Sequence, residues 1–340
     1  MFSRLIEKLV RHEDLTTEEA AAAMREVMEG RAAPAALGGL LAALVMKGER
    51  PDEIVGLART MREHAVKLSA PAGEVFDTCG TGGDRSGTFN VSSAAAVVVA
   101  SCGVRVAKHG NRSVSSQCGS ADVFERLGVN IAAPPGVVER ALRDASIAFF
   151  FAQTFHPSMK HAAPVRRDMG VRTTFNLLGP LTNPAGASRQ IVGVPRPELT
   201  QVMARALMQL GSERAWVVHG AGGIDEISTT GHTKVSECRD GAVHTFFVHP
   251  TEFGIAKASP ADLAGGDAST NAAIVGRVLD GQRGPARDIV VLNAGAALLV
   301  AGRARSVREG IAAAEAAIDS GVARATLDRM VHASQAEAVA

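Results

Sequence analysis

Two adjacent acids, Asp225 and Glu226, follow a glycine pair in the stretch Gly222-Gly-Ile-Asp-Glu. Neighbouring carboxylates in a loop are often no more than solvated charge. Beside a polyphosphate the same pair becomes a hard-oxygen site, because Mg²⁺ is held by one or two carboxylates together with phosphate oxygens. Ser92 offers a further hydroxyl ligand. The meaning of the acids therefore depends on whether a phosphate comes near them.

Two other stretches bear on that point. In Asp77-Thr-Cys-Gly-Thr-Gly-Gly-Asp84, glycines lacking a Cβ let the backbone approach a ligand and turn its amides inward. Neither familiar glycine motif fits. Arg85 stands where the dinucleotide fingerprint needs its third glycine, and no Gly-Lys-Ser/Thr ending marks a P-loop. Asp84 would repel a bare phosphate, yet it suits sugar hydroxyls or a metal-bound diphosphate. A plain tight turn is the alternative. Asn90-Val-Ser-Ser93 then opens an Ala- and Val-rich run. Capping alone accounts for these residue types, although a helix N-terminus also offers amides and partial positive charge to phosphate.

The stretch Lys108-His-Gly-Asn-Arg-Ser-Val-Ser-Ser116 shifts the balance. It places two cations, a glycine and three serine hydroxyls within nine residues, and Gly119-Ser120 opens the next helix. Lys108 supplies a point charge, Arg112 a bidentate fork, and hydroxyls and amides complete the oxygen contacts. Two anion-favouring loops at successive strand ends imply a ligand carrying two phosphate groups.

Such loops need elements to position them. Leu5, Leu9, Ala21, Met24, Val27 and Met28 recur at helical spacing. Thr16 or Thr17 before Glu18 and Glu19 predicts an N-cap. Further helices are expected over 36–46, closed by Lys47-Gly48, and from Pro51 to about Leu68. From Pro71 the pattern changes to strand, loop and helix: strands over 74–79 and 103–107, a helix over 90–102, and another ending near Gly128. A strand is expected over 215–219, then a hairpin of 233–238 and 242–248 turned at Arg239-Asp240-Gly241. Helices return from Asn271, including 288–301 and 307–320. This alternation predicts an α/β fold in which helices flank a mostly parallel central sheet.

Composition narrows the function. With 36 basic against 35 acidic residues in 340, no global field recruits nucleic acid or membrane. The apolar runs 94–100 and 289–292 are too short to cross a bilayer. Cys79, Cys102, Cys118 and Cys238 follow no disulfide or C-x-x-C spacing, so reduced thiols and a cytoplasmic location are expected.

Taken together, DTCGTGGD, GTFNVSSAAA, KHGNRSVSS with GSAD, HPSMKHAAPVRRDMGVRTTFNLLGPLTNP and GIDEIS resemble the anthranilate phosphoribosyltransferase family. The similarity runs from the N-terminal helices through RDIVVLNAGAAL to the last helix. It implies a nucleoside phosphorylase/phosphoribosyltransferase-like architecture. A small all-helical domain over 1–70, joined by part of 165–190, would be hinged to an α/β domain over 71–164 and 191–340. A homodimer with the active site between domains is implied as well, as is a Mg²⁺-dependent transfer of the phosphoribosyl group of phosphoribosyl pyrophosphate to anthranilate, in tryptophan synthesis.

Carried over residue by residue, the resemblance assigns phosphoribosyl pyrophosphate to Gly80, Gly83, Asp84, Thr88, Asn90, Val91, Ser92 and Ser93, to Lys108, His109, Gly110, Asn111, Arg112, Ser113, Val114, Ser115 and Ser116, and to Ser120. Anthranilate falls to Gly80, Asn111 and Arg166, and magnesium to Ser92, Asp225 and Glu226. Arg85 and Cys118 depart from the family pattern at positions not expected to touch a ligand. Arg166 suits the acceptor carboxylate, although Arg167 beside it leaves an exposed helix arginine as the alternative. His109 is a further candidate at the acceptor side. His156 and His161 do not share a helix face, and no dedicated acid or base is assigned. The rival readings are a nucleoside phosphorylase of the same fold and a non-catalytic relative that binds nucleic acid.

Overall fold

The structure is a computed structural model that describes residues 1–69, 73–84, 86–113 and 117–336. Four helices come first: α1 (Phe2–Val10), α2 (Thr17–Met28), α3 (Pro34–Lys47) and α4 (Pro51–Glu63). Thr16 caps α2 through a reciprocal pair: its hydroxyl accepts the Glu19 amide at 3.2 Å, and the Glu19 carboxylate accepts the Thr16 amide at 3.0 Å. Pro34 and Pro51 stand at the first helical positions, where no amide is missed. α4 stops at Glu63, short of the expected Leu68. The Val66 amide donates instead to the Phe155 carbonyl at 2.8 Å, which draws the chain off the helix axis.

The remaining chain runs β1 (Phe76–Gly80), α5 (Val91–Ser101), β2 (Val106–Gly110), α6 (Ser120–Arg126), α7 (Pro135–Ala145), β3 (Ile147–Phe151) and α8 (Ala152–Phe155). It continues through α9 (Ala163–Met169), α10 (Phe175–Leu178), β4 (Arg189–Gly193), α11 (Leu199–Gln209), β5 (Arg214–Gly220), β6 (Thr233–Arg239) and β7 (Ala242–Val248). The last helices are α12 (Ala268–Leu279), α13 (Pro285–Val300), α14 (Val307–Asp319) and α15 (Val322–Ser334).

One seven-stranded sheet has the order β3-β2-β1-β4-β5-β6-β7. The five strands from β3 to β5 are parallel, and β6 and β7 add an antiparallel hairpin. That hairpin turns at Asp240 and Gly241, whose φ of 51° and 73° fit the two-residue turn with both centres left-handed. Side chains alternate across the sheet. Ile191 and Val218 point into a core with α5, α13, α14 and α15, whereas Val192 and Val217 point into one shared with α1 to α4 and α11. Val165, Phe175, Leu178 and Leu181 join that second core, on the side of the helical lobe.

β2 begins three residues later than the expected position 103. Gly103, at φ 83°, turns the chain out of α5, so Lys108 and His109 lie inside the strand instead of in the loop beyond it. The chain winds from β1 out to β3, then returns to β4 on the other side of β1. β1 and β4 thus form the switch point of the parallel sheet, and open α/β sheets bind ligands outside the carboxyl ends of their strands there. Among the described residues, no helix is long and apolar enough to cross a membrane.

Candidate active site

β1, β2, β4 and β5 all end in glycine: Gly80, Gly110, Gly193 and Gly220. The acid loop lies over three of these ends. A Cβ on Gly80 would overlap the Asp225 carboxylate, one on Gly193 the Asp225 carbonyl oxygen, and one on Gly220 would come within 2.5 Å of the Glu226 carbonyl oxygen. Asp225 therefore straddles the β1/β4 switch point, seated on main chain. At the end of β2, Gly110 gives the same clearance to the Ser120 hydroxyl at the start of α6.

The loop after β1 closes over the acids. Gly82 and Gly83, at φ 63° and 69°, adopt the left-handed conformation that glycine tolerates best. The Gly82 amide donates to Asp225 Oδ2 at 3.0 Å, and the Asp225 amide donates to Asp84 Oδ2 at 3.3 Å. From α5, the Ser92 amide donates to Glu226 Oε1 at 3.0 Å. Lys108 is buried, and its ammonium donates to Ser92 Oγ at 3.3 Å and to the Thr78 carbonyl. One chain of contacts thus joins Asp84, Ser92, Lys108, Asp225 and Glu226.

This cluster is too acidic for one ammonium to balance. Asp225 is held above the ordinary carboxylate range by burial and by the neighbouring Asp84 charge. Glu226 is pushed up by burial and by Asp225, against the opposing pull of Lys108. Among the described residues no three His, Cys, Asp or Glu side chains form a ready-made metal cage. The donor set is that of a hard divalent cation which completes its shell with ligand oxygens and water.

The other expected residues spread around this centre. Asn90 occupies the cap position of α5, but its side chain caps nothing; Oδ1 accepts instead from Asn271 Nδ2 at 2.9 Å. The capping explanation for Asn90 to Ser93 is therefore not what the geometry shows. Val91 is fully buried, and the buried Ser93 hydroxyl has no hydrogen-bond partner among the described residues. Thr88 bridges to Ala264, so the segment around Leu263 roofs the loop.

Asn111 is exposed just past the end of β2, and among the described residues no hydrogen bond joins it to the acids. Its carbonyl receives the Ala121 amide at 3.3 Å. Arg112 faces α6, where Asp122 and Glu125 hold its guanidinium at 2.7 Å and 2.8 Å, so meeting a phosphate would require trading these contacts. The Ser113 amide donates to Asp122. Val114, Ser115, Ser116 and Arg85 lie outside the described residues.

Arg166, on α9, is half-buried with its guanidinium 5.2 Å from the centre of the Phe175 ring. Among the described residues no acid pairs with it, whereas its neighbour Arg167 is exposed. A sheltered cation without an anion is ready for an anionic ligand. His109, distant in sequence, meets the Gly179 carbonyl through Nδ1 at 3.1 Å. Burial and the adjacent His156 hold the His109 imidazole down to about 3, and burial holds His156 down to about 4. Their ring centres lie 5.2 Å apart, with the planes tilted by 55°. His161 is exposed, beneath Gly30.

Several supporting residues carried no role in the sequence reading. Asp77, buried in β1, accepts the His109 amide at 3.3 Å and the Asn183 carboxamide at 2.8 Å. Arg172 reaches from the segment beyond α9 to the Gly82 carbonyl and the Thr81 hydroxyl. Asn271 and Asn293 are buried polar residues on α12 and α13. Their signal in sequence was an asparagine inside an apolar helix. At the opposite end of the strands, where β4 and β5 begin and β6 ends, a concavity of about 530 Å³ is lined by Arg189, Arg214 and Arg239. Each of these pairs with an acid, so their charge is already spent.

Comparison with known proteins agrees with this fold. Residues 3–65 match the helical bundle domain of a glycosyl transferase family, and residues 72–324 match its a/b domain. The anthranilate phosphoribosyltransferase of Moorella thermoacetica is 52% identical over 331 residues, which cover 97% of this chain and 98% of that protein. The chain belongs to the anthranilate phosphoribosyltransferase family. Its members are glycosyltransferases. The Thermus thermophilus anthranilate phosphoribosyltransferase shares the fold with a TM-score of 0.91 at 45% identity, covering 98% of this chain and 99% of that one. The Saccharomyces cerevisiae anthranilate phosphoribosyltransferase in complex with PRPP and Mg gives a TM-score of 0.88 at 27% identity, with 98% and 97% covered. The helical lobe and mostly parallel sheet are thus the family's architecture.

Proposed function

We propose that the cleft over the β1/β4 switch point is where phosphoribosyl pyrophosphate is held and its anomeric carbon passed to the amine of anthranilate. The products are N-(5-phosphoribosyl)anthranilate and pyrophosphate. The observation that carries this reading is the joined cluster of Asp84, Ser92, Lys108, Asp225 and Glu226. Its donors fit Mg²⁺, which Ser92, Asp225 and Glu226 would hold. When bound, the ion neutralises charge on the diphosphate leaving group.

The residues divide the remaining work. Lys108 brings positive charge to the departing diphosphate, and the loop from Gly80 to Asp84 faces the ribose. Thr88, Asn90, Val91, Ser92 and Ser93 present the start of α5 to phosphate oxygens, and Gly110 to Ser113 with Ser120 do so from β2 and α6. Arg166, with no counterion among the described residues, pairs with the anthranilate carboxylate beside Gly80 and Asn111. An aryl amine is neutral near pH 7, so it needs placement and not a base. C–N bond formation as the C–O bond to pyrophosphate breaks makes an acidic ammonium, whose proton passes to solvent or to the departing diphosphate.

Two lobes with the cleft between them, divided near residue 70, form part of the same reading. Packing of Val165, Phe175 and Leu178 with α2 and α3 supports counting part of 165–190 with the helical lobe. Exposed Val10, Val45 and Met46 on α1 and α3 support a homodimer through that lobe. Four free cysteines suit a reducing, cytosolic compartment.

The test mixes the protein with anthranilate, phosphoribosyl pyrophosphate and Mg²⁺ and follows the loss of anthranilate fluorescence. Quenching that requires all three and stops with a chelator supports the assignment. No quenching, with base released from pyrimidine nucleosides and phosphate, would replace it with nucleoside phosphorolysis.

A further inference from the structure

We propose that Asn293, at the centre of α13, is a positioning residue that fixes the acid loop for the metal-bound substrate. The inference rests on the reading that Asp225 and Glu226 hold Mg²⁺. Asn293 is 3% exposed in a helix otherwise lined by Val, Leu and Ala. A carboxamide in such a place is costly unless all its hydrogen bonds are made.

Here they are made, and mostly to one residue. Asn293 Oδ1 accepts the Ile227 amide at 2.9 Å, and Nδ2 donates to the Ile227 carbonyl at 2.9 Å. A second Nδ2 bond, to the Ile289 carbonyl at 2.8 Å, locks the side chain against its own helix. Asn293 therefore meets Ile227 as a paired strand would, satisfying its amide and carbonyl together.

Ile227 follows Glu226 directly. Its amide belongs to the peptide plane that leaves Glu226, so holding that plane restricts the backbone from which the Glu226 carboxylate projects. The Ile227 side chain is buried in the same core and cannot slide. The platform beneath is rigid too. Gly295 and Gly310 let the backbones of α13 and α14 touch, and a Cβ on either would collide with the other helix. With Gly193 and Gly220 below and Asn293 behind, the acid loop is gripped by main chain and by one side chain that imitates it. An apolar residue at 293 would suit α13 equally well, so the asparagine serves the loop.

The experiment compares Asn293→Leu, which keeps the size and loses every polar bond, with Asn293→Asp, which keeps the acceptor for the Ile227 amide. Calorimetry measures phosphoribosyl pyrophosphate binding at stepped Mg²⁺ concentrations, alongside the anthranilate KM and the thermal midpoint. The Leu variant should need on the order of tenfold more Mg²⁺ for half-maximal substrate affinity, with the anthranilate KM within about twofold of the parent. An unchanged Mg²⁺ requirement in a folded variant would overturn the proposal, as would equal worsening of both substrates. Failure of both variants to fold would assign Asn293 to the fold alone and overturn it too. The Asp225→Asn, Glu226→Gln double variant separates the two levels. If it leaves the Mg²⁺ requirement unchanged, the metal assignment itself has failed. If it shifts the requirement and the Leu variant does not, only the role of Asn293 has failed.

Discussion

Asp225 rests directly on Gly193, its carbonyl oxygen occupying the space that a Cβ of residue 193 would need. The last residue of β4 is thereby a floor for the acid loop. Gly193→Ala should cost about 1–3 kcal/mol through overpacking and lower turnover by displacing Asp225. Gly136, in the first turn of α7, has open space around its Cβ position. Gly136→Ala should therefore hold or raise stability, by up to about 1 kcal/mol. Denaturant titrations of both variants check this contrast, and equal effects would refute it.

Replacing Asp225 with Asn and Glu226 with Gln removes the acids without changing their size. Turnover should fall by roughly 100-fold or more, as for other losses of charge stabilisation at a reacting centre. The fold should survive, because the burial that pushes both carboxyls upward no longer works against a charge, and the repulsion of Asp225 by Asp84 and of Glu226 by Asp225 is relieved. Kinetics across a Mg²⁺ series together with a thermal melt decide the matter; parental turnover would remove the metal role.

Arg166→Ala should raise the anthranilate KM by about tenfold or more, the worth of a charge-assisted hydrogen bond. The KM for phosphoribosyl pyrophosphate should stay near the parental value. Because the guanidinium is sheltered with no acid beside it among the described residues, the ligand-free variant should melt no lower than the parent. An unchanged anthranilate KM would dismiss the assignment.

His109 and His156 give the protein an acid limit. Burial holds their folded values at about 3 and about 4, while the unfolded chain takes up protons near 6.5. Between these values the unfolded state binds more protons, so the stability that neutral imidazoles contribute is present above about pH 6.5 and drains away as pH falls toward 4. His156→Phe should flatten that decline by on the order of 2 kcal/mol. Thermal midpoints from pH 7 to 4 measure the slope, and identical slopes would rule out His156 as its source.

Much of the site could be read from residue types, because glycines, hydroxyls and charges gather at strand ends within short stretches. Asp84, Lys108, Asn111 and Glu226 are expected around one cleft; hydrogen bonds join Asp84, Lys108, Asp225 and Glu226 through Ser92 and Gly82, whereas Asn111 is exposed just past β2 and stands outside that chain of contacts. Asn293, Asn271 and Asn183 carry no local sign of their roles, since each bonds to a residue distant in sequence: Ile227, Asn90 and Asp77. β3 was not anticipated, for its five residues are all buried and show no alternation. β4 was missed as well, inside a run of turn-forming residues. The pairing of Arg112 with Asp122 and Glu125 depends on how α6 folds back, which no local pattern reveals.

Arg166 and Phe175 are carried by a segment whose apolar residues sink into the helical lobe, whereas the acids sit on the main chain of the sheet. The two sides of the proposed cleft nonetheless meet in one core, because Val192 and Val217 of the sheet share it with Val165, Phe175 and Leu178. A redesign for a different aromatic acceptor on the Arg166 side would therefore press on the back of the strands that carry the acids.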